Sequence, residues 1–228
     1  MDYLLDLQRP GPPLDPTIDF FYLDQLLRSR CGGFFTNPGQ TSFSLKLDRR
    51  LTLFQRGAPE LWLLIETDPA VQSFCERPGY VQLNGQRYLA DFWIRYADRE
   101  EVVILSDSLA DVRLHAARPK YELDGVPVRS MTSTDLAAAR AWIDNWRHML
   151  PCLVAARGLV ASSLLRAVET FVTMPYTLLE IERELSVGDP ALVRAAVFAL
   201  VYAGHVDAVD LRTEPLSLLT RFVATEAA

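Results

Sequence analysis

The hydrophobic pattern of this 228-residue chain changes at Ser133, and this change restricts the possible folds more than any other feature. Before Ser133, short apolar runs alternate with polar residues at a period of two, which is typical of strands. After it, apolar residues recur at helical spacing. We therefore predict an N-terminal arm and helix at residues 1–40, an α/β domain at residues 41–132 and a helical domain at residues 133–228.

Alternating runs on either side of Asn84-Gly85 give the strongest strand signal in the α/β region. This dipeptide is favoured in two-residue hairpin turns, so the runs predict a β-hairpin. A helix is predicted over APELWLLIETDP, and it should stop before Asp68-Pro69 because a residue that precedes proline disfavours the helical conformation. Further strands are predicted at about residues 41–57, 70–78, 100–107 and 120–132.

Capping residues divide the C-terminal region into helices that begin near Ser133, near residue 159, at LLEIEREL and at PALVRAAVFALVYA. Segments HVDAVDL and SLLTRFV are predicted to form a two-stranded wing. This order predicts a winged helix-turn-helix, and the alternative is an all-α packing module with a tail. The predicted caps are Ser133 or Thr134, then Thr177, then Asp189 with Pro190, and finally Gly204.

The charge pattern disfavours a protein that holds a DNA duplex by itself. The net charge is −6, and the balance of basic to acidic groups is six to six in residues 1–50, eleven to fourteen in residues 51–150 and six to nine in residues 151–228. No segment has the cationic footprint that duplex binding usually requires. Arginine supplies 21 of the 23 basic residues, and it suits both phosphate and protein contacts.

Cysteine spacing and the N-terminal sequence predict a cytoplasmic protein. The three cysteines, Cys31, Cys75 and Cys152, are odd in number and far apart, which favours buried thiols in a reducing compartment. The N-terminal MDYLLDLQRPGPPLDP is not typical of a signal or transit peptide. No apolar run reaches the roughly 18 residues of a membrane span. Three histidines without a CxxC or HExxH pattern do not predict a zinc site.

Four phrases carry a resemblance to a known family: LIETDPAVQSFCERP, NGQRYLADFWIRYAD, REEVVILSD and VDLRTEPLSLLTRFV. Together they resemble the TnsA-type transposon endonucleases over about residues 45–223. That family has a catalytic domain of the PD-(D/E)xK restriction-endonuclease fold and a C-terminal winged-helix region. The resemblance implies an α/β restriction-endonuclease-like mixed sheet with flanking helices, followed by a helical winged-helix-like domain.

The resemblance also implies a metal site that is degenerate in this chain. Asp91 in LADFWI matches the metal-binding aspartate of the family. The second acid falls on Leu105, and the lysine falls on Asp107. The helix glutamate falls on Ala58, and Glu60 lies two positions on. Two residues rotate a helical side chain by roughly 200°, so Glu60 should not simply replace the missing glutamate.

An alternative keeps the enzyme active with migrated ligands. Asp107 would share a strand face with Leu105 and join Asp91 at a magnesium ion, with Glu60 or Glu76 as a third carboxylate. No lysine is near, since Lys46 and Lys120 are the only two in the chain.

The predicted function follows from the resemblance. We expect a TnsA-like component of a DNA transposition machine that acts with a DDE transposase, other transposition proteins and DNA ends. It would be a structural or regulatory subunit that does not cut DNA, and neither a cofactor nor a metal is expected. A winged-helix DNA-binding regulator without a transposon role is the other alternative.

The would-be recognition helix, ALVRAAVFALVYA, is poor in groups that read bases. Arg194 is its only basic residue, and Arg183 lies on the preceding helix. A duplex-reading helix usually offers several Arg, Asn or Gln side chains to base edges. We therefore predict that Arg194 and Arg183 contact a protein partner or DNA, with protein contact favoured. The four tryptophans Trp62, Trp93, Trp142 and Trp146 are predicted to lie in the core or at a domain interface.

Overall fold

The computed structural model describes residues 40–53, 56–83, 86–105, 122–123, 126–186 and 189–225. The predicted N-terminal arm and its helix therefore lie outside the described residues, apart from Gln40. Contacts divide the chain into two compact units. The strand unit comprises Met1–Pro59 and Ser73–Met131, and the helical unit comprises Glu60–Gln72 and Thr132–Ala228.

The strand unit contains a mixed five-stranded sheet of order β3-β6-β7-β9-β8 and two separate hairpins, β1-β2 and β4-β5. In the sheet, β7 and β9 are parallel and the other neighbours are antiparallel. The coarse α/β fold with a mixed sheet, which the resemblance implies, is confirmed. The strands are β1 (Gln40–Ser44), β2 (Arg49–Leu53), β3 (Ser73–Glu76), β4 (Tyr80–Leu83), β5 (Gln86–Leu89), β6 (Phe92–Arg95), β7 (Glu100–Leu105), β8 (Glu122–Leu123) and β9 (Val126–Met131).

The predicted hairpin at Asn84-Gly85 is confirmed by the pairing of Leu83 with Gln86, although the two turn residues lie outside the described ranges. The strand structure predicted at about residues 41–57 is confirmed for β1 and β2, but a turn that was not predicted separates them. The chain turns after Ser44 and passes through Asp48 at φ 52° before β2 pairs back on β1. A left-handed φ at Asp48 is typical of a tight turn, since Asp tolerates that conformation.

One face of the sheet packs an apolar cluster of Val81, Ala90, Trp93, Val102 and Ile104, all at most 4% exposed. Trp93 and Val102 are direct cross-strand partners, so they share this face. The prediction that Trp93 is a core residue is confirmed.

Within the described residues, the helical unit contains the part of the first helix from Glu60 onward, which precedes β3, and five helices of the C-terminal region. Among the described residues, no helix is long and apolar enough to cross a membrane. A 3₁₀ turn follows the last helix at Val209–Arg212. The helices are α1 (Ala58–Glu66), α2 (Ser133–Ala138), α3 (Arg140–Ala155), α4 (Ser162–Phe171), α5 (Leu178–Leu185) and α6 (Pro190–Ala203).

Local capping explains where three of these helices begin and where α6 ends. Thr177 and Glu180 form a capping box at the start of α5, Asp189 caps α6 ahead of Pro190, and Gly204 ends α6 at φ 80°. The predicted caps at these three positions are confirmed. The predicted cap at Ser133 or Thr134 is wrong. Thr132 caps α2, because Asp135 lies three residues after it and completes a capping box.

The two strands predicted in the C-terminal segment belong to a three-stranded sheet, whose third strand comes from the residues just before α5. Strand β12 (Arg221–Ala224) lies between β11 (Val206–Asp207) and β10 (Tyr176–Thr177) and is antiparallel to both. The pairing of β11 with β12 confirms the predicted two-stranded part. The third strand is only two residues long, and its partner lies 44 or more residues along the chain, so no local pattern marks it.

Long-range hydrogen bonds join α1 and its following turn to the C-terminal helices of the same unit. The Tyr202 hydroxyl donates to Glu66 Oε1 at 2.7 Å, and Trp142 Nε1 donates to Thr67 Oγ1 at 3.1 Å. Because Glu66 is fully buried, water cannot donate a hydrogen bond to its carboxylate, and the Tyr202 hydroxyl supplies a donor instead. Burial and the neighbouring Glu66 carboxylate raise the pKa of Tyr202, which keeps its hydroxyl protonated as the donor.

Substituting Gly204 by alanine is expected to lower the free energy of unfolding of the helical unit by about 2 kcal/mol. The positive φ strains any Cβ, and that Cβ would stand 2.8 Å from Cβ of Pro69. Gly158→Ala is the matched control, because Gly158 has φ +75° but nothing within 4 Å of its Cβ position. Urea denaturation measures both variants, and equal losses would show that the Pro69 contact is unimportant.

Candidate functional site

Asp91 lies at the point where the chain leaves the β4-β5 hairpin and enters the five-stranded sheet. Its backbone N–H donates to the carbonyl of Val103 on β7 at 3.0 Å. Its side-chain Oδ2 accepts a hydrogen bond from the backbone N–H of Leu105 at 2.6 Å. Asp91 as a whole residue is only 9% exposed. The sheet thus brings together Asp91 and Leu105, the two positions that the resemblance assigns to metal ligands.

The break that positions Asp91 is not visible in the sequence pattern. Residues 86–96 read as one alternating run, but Ala90 and Asp91 separate β5 from β6. Ala90 donates to the carbonyl of Gly79, and the carbonyl of Asp91 accepts from Arg77. These two bonds fix the bend, so the Asp91 side chain is placed at the start of a strand and not in the middle of one.

Leu105 contributes no ligand to this position. Its side chain is apolar and 6% exposed, and its backbone N–H is bonded to the Asp91 carboxylate. Asp107, the second acid of the migrated-ligand alternative, lies outside the described residues. Within the described ranges, no group of three or more His, Cys, Asp or Glu residues is arranged to hold a metal ion.

Glu76, the strand carboxylate of that alternative, is bound by an arginine. Both of its oxygens accept hydrogen bonds from Arg49, at 2.6 Å each, in a bidentate ion pair. Hydrogen bonding to Glu76 raises the pKa of Arg49 above its ordinary value. Burial and Glu76 also raise the pKa of the adjacent Cys75 thiol to about 11. A metal that recruited Glu76 would have to displace this guanidinium.

Glu60, the helix carboxylate of the same alternative, is also ion-paired. It accepts from Arg147 of α3 inside the helical unit, and Arg147 donates as well to Asp144 at 2.8 Å. Ala58, at the start of α1, is 5% exposed and offers no polar atom on its side chain.

The two predicted contact arginines occupy different environments. Arg183 is exposed in the last turn of α5. Arg194 of α6 donates from Nε to Glu182 Oε1 at 2.7 Å, and this hydrogen bond raises the pKa of Arg194. The side chain of Glu182 is 10% exposed and that of Arg194 is 40% exposed. The carboxylate is therefore sequestered, and the guanidinium reaches the surface.

An apolar face of α6 is buried in the interior of the helical unit. Half of its fourteen residues are buried. Buried apolar residues cannot reach base edges, which agrees with the prediction that this helix has few side chains able to read bases. Arg194 is the only basic or amide side chain on the helix. The buried residues are Val193, Ala195, Ala196, Val197, Phe198, Leu200 and Val201.

A half-open cleft of about 640 Å³ lies inside the helical unit. Trp142 forms part of its wall, and the guanidinium of Arg212 lies 4.6 Å from the centre of the indole ring. Three carboxylates, Asp68, Asp135 and Asp207, also line it. With three acids and one arginine, the cleft disfavours a phosphate ligand. Trp62 and Trp146 are buried as predicted, and Trp142 is half-buried in this wall.

One buried polar residue of structural importance carries no sequence signal. Asn145 is 4% exposed, and its amide nitrogen donates to the carbonyls of Leu211 and Glu214, both at 2.8 Å. Its Oδ1 accepts from the backbone N–H of Leu216 at 2.7 Å. The partners are 66 to 71 residues away along the chain, so only the folded unit reveals the role of Asn145.

A search against protein-family models gave no match to this chain. A search of curated proteins likewise gave no match.

Proposed function

We propose that this chain is a TnsA-like component of a DNA transposition machine. In this proposal a restriction-endonuclease-like domain with flanking helices has lost metal-dependent cleavage. The chain acts in the cytoplasm as a structural or regulatory subunit, together with a DDE transposase, other transposition proteins and DNA ends. It needs no metal or other cofactor.

The observation that carries the proposal is the hydrogen bond between Asp91 and Leu105. A metal-dependent nuclease holds its ion between carboxylates that converge on one site. Here the aspartate that the resemblance assigns to the metal binds a backbone N–H, and its neighbour on β7 is a leucine. The Asp91 carboxylate accepts a hydrogen bond from a backbone N–H and lies beside the apolar Leu105. This arrangement supports a metal site that has lost its function.

The architecture of the two units supports the same family. Strands β3, β6 and β7 are consecutive antiparallel neighbours in the sheet, and β9 adds in parallel to β7, as a nuclease-like mixed sheet requires. In the helical unit, the order α4, β10, α5, α6, β11 and β12, with β12 central in the small sheet, supports a winged-helix domain.

The ion pairs of Glu60 and Glu76 weigh against the active-nuclease alternative. Each carboxylate that would complete the migrated site is held by an arginine, Arg147 or Arg49. Recruiting either one to a metal costs a charge-assisted hydrogen bond. For Glu76 it also leaves the half-buried guanidinium of Arg49 without its carboxylate, whereas Arg147 would keep Asp144.

We expect no metal-dependent cleavage of DNA by the purified full-length chain. The assay incubates the chain with donor-end DNA and Mg²⁺ or Mn²⁺, with and without its transposase, and resolves strand breaks on denaturing gels. Asp91→Ala should show the same absence of cleavage as the wild type, because in this proposal Asp91 no longer holds a metal ion. Asp98→Ala, which removes an exposed acid between β6 and β7, is the matched control. Cleavage that disappears in Asp91→Ala but persists in Asp98→Ala would contradict the proposal.

A further inference from the structure

The surface charge of α6 depends on a single ion pair. Arg194 is the one basic residue of this helix, and its Nε donates to Glu182 Oε1 on α5 at 2.7 Å. No other hydrogen bond of the Arg194 side chain is formed within the described ranges, so its two Nη groups have no acceptor there. The pair as a whole carries no net charge.

The burial of the two partners decides which of them can meet a ligand. The Glu182 side chain is 10% exposed, whereas the Arg194 side chain is 40% exposed. A ligand that approaches α6 therefore meets the guanidinium first, with a carboxylate directly behind it. The Nη groups have the fork geometry that suits a phosphate, but the adjacent carboxylate cancels most of the attraction at phosphate distance.

We propose that the Glu182–Arg194 pair is an autoinhibitory contact that suppresses phosphate binding by α6. When the pair breaks, Arg194 becomes free to contact a DNA backbone phosphate. The inference rests on the winged-helix part of the proposed function, which directs α6 towards DNA, and it does not depend on a role in transposition.

The test compares two charge-neutralising substitutions on the same helix. Glu182→Gln breaks the ion pair, whereas Glu184→Gln removes an exposed carboxylate that has no ion pair within the described residues. Binding of the full-length chain to a fluorescent duplex is measured by anisotropy over a series of salt concentrations. We expect Glu182→Gln to bind about fivefold more tightly than Glu184→Gln at low salt. Its plot of log affinity against log salt should be steeper by about one phosphate contact.

Arg194→Ala, made in both the wild-type and the Glu182→Gln backgrounds, completes a double-mutant cycle. In the wild-type background it should change the affinity by less than about twofold, because the paired arginine contributes little. In the Glu182→Gln background it should remove the whole gain. Equal affinities for Glu182→Gln and Glu184→Gln, or a gain that survives Arg194→Ala, would overturn the inference.

The test still decides if Glu182→Gln fails to fold, and its outcome is independent of the transposase. If Glu182→Gln does not fold, as judged by its thermal melt, Arg194→Ala alone decides, and a loss of more than threefold in affinity overturns the inference. The transposase is absent from this assay, so a chain that fails to act with a transposase but shows the gain leaves the autoinhibitory pair standing.

Discussion

Replacing Trp146 by alanine is expected to lower the free energy of unfolding of the helical unit by about 4 kcal/mol. Trp146 is fully buried on α3 and packs edge-on against Trp142 at 5.7 Å and Tyr202 at 6.1 Å between ring centres. The substitution leaves a large cavity between α3 and α6 and removes both aromatic contacts. Urea denaturation, with hydrogen exchange of the α3 and α6 amides as the local probe, measures the loss.

Trp146→Phe is the matched variant for this experiment. The buried indole N–H has no hydrogen-bond partner within the described residues, so removing it forfeits no bond. We expect a cost of about 1–2 kcal/mol, from lost volume alone. Leu219→Ala, at a position 71% exposed, should change stability by less than about 0.5 kcal/mol. A Trp146→Phe variant as unstable as Trp146→Ala would contradict the explanation by volume.

Asn145→Ala is expected to lower the free energy of unfolding of the helical unit by about 3 kcal/mol, because it leaves three backbone groups without a hydrogen-bond partner. The carbonyls of Leu211 and Glu214 lose their donor, and the N–H of Leu216 loses its acceptor. Alanine supplies neither, and the site is buried. The chain from the 3₁₀ turn to Leu216 should then detach locally from α3 before the helical unit unfolds.

Hydrogen exchange of the Leu216 amide gives this prediction a local measurement. Its exchange should accelerate strongly in Asn145→Ala, while amides in the middle of α5 change only with global stability. His148→Ala is the matched control, since His148 is exposed on the same helix. Unchanged protection of Leu216 in Asn145→Ala would show that the amide bridge does not hold this segment.

Local chemistry made three helix limits of the C-terminal region predictable. Thr177, Asp189 and Gly204 act through atoms within four residues of themselves, as side-chain caps or as a left-handed end. The cap of α2 was assigned to the wrong residue because Thr132, Ser133 and Thr134 all carry hydroxyls that could cap the helix. The Asp135 carboxylate, which bonds back to Thr132, decides between them.

The candidate site was predictable only in part. The resemblance pairs Asp91 with Leu105, and the sheet places the two side by side. The bond itself, from a backbone N–H to the carboxylate, depends on the bend at Ala90 and Asp91, which interrupts an unbroken alternating pattern. The engagement of Glu76 by Arg49 was equally hidden, since these residues are 27 positions apart.

The sequence by itself determined the division into a strand-rich and a helical region, the hairpin at Asn84-Gly85 and the helix caps at Thr177, Asp189 and Gly204. These depend on hydrophobic period and on hydrogen bonds between near neighbours. The tertiary structure decided which charges remain available. Glu76, Glu182 and Glu66 are each held by a residue at least 12 positions away. Burial makes such pairing obligatory, and only the folded backbone decides which partner comes within reach.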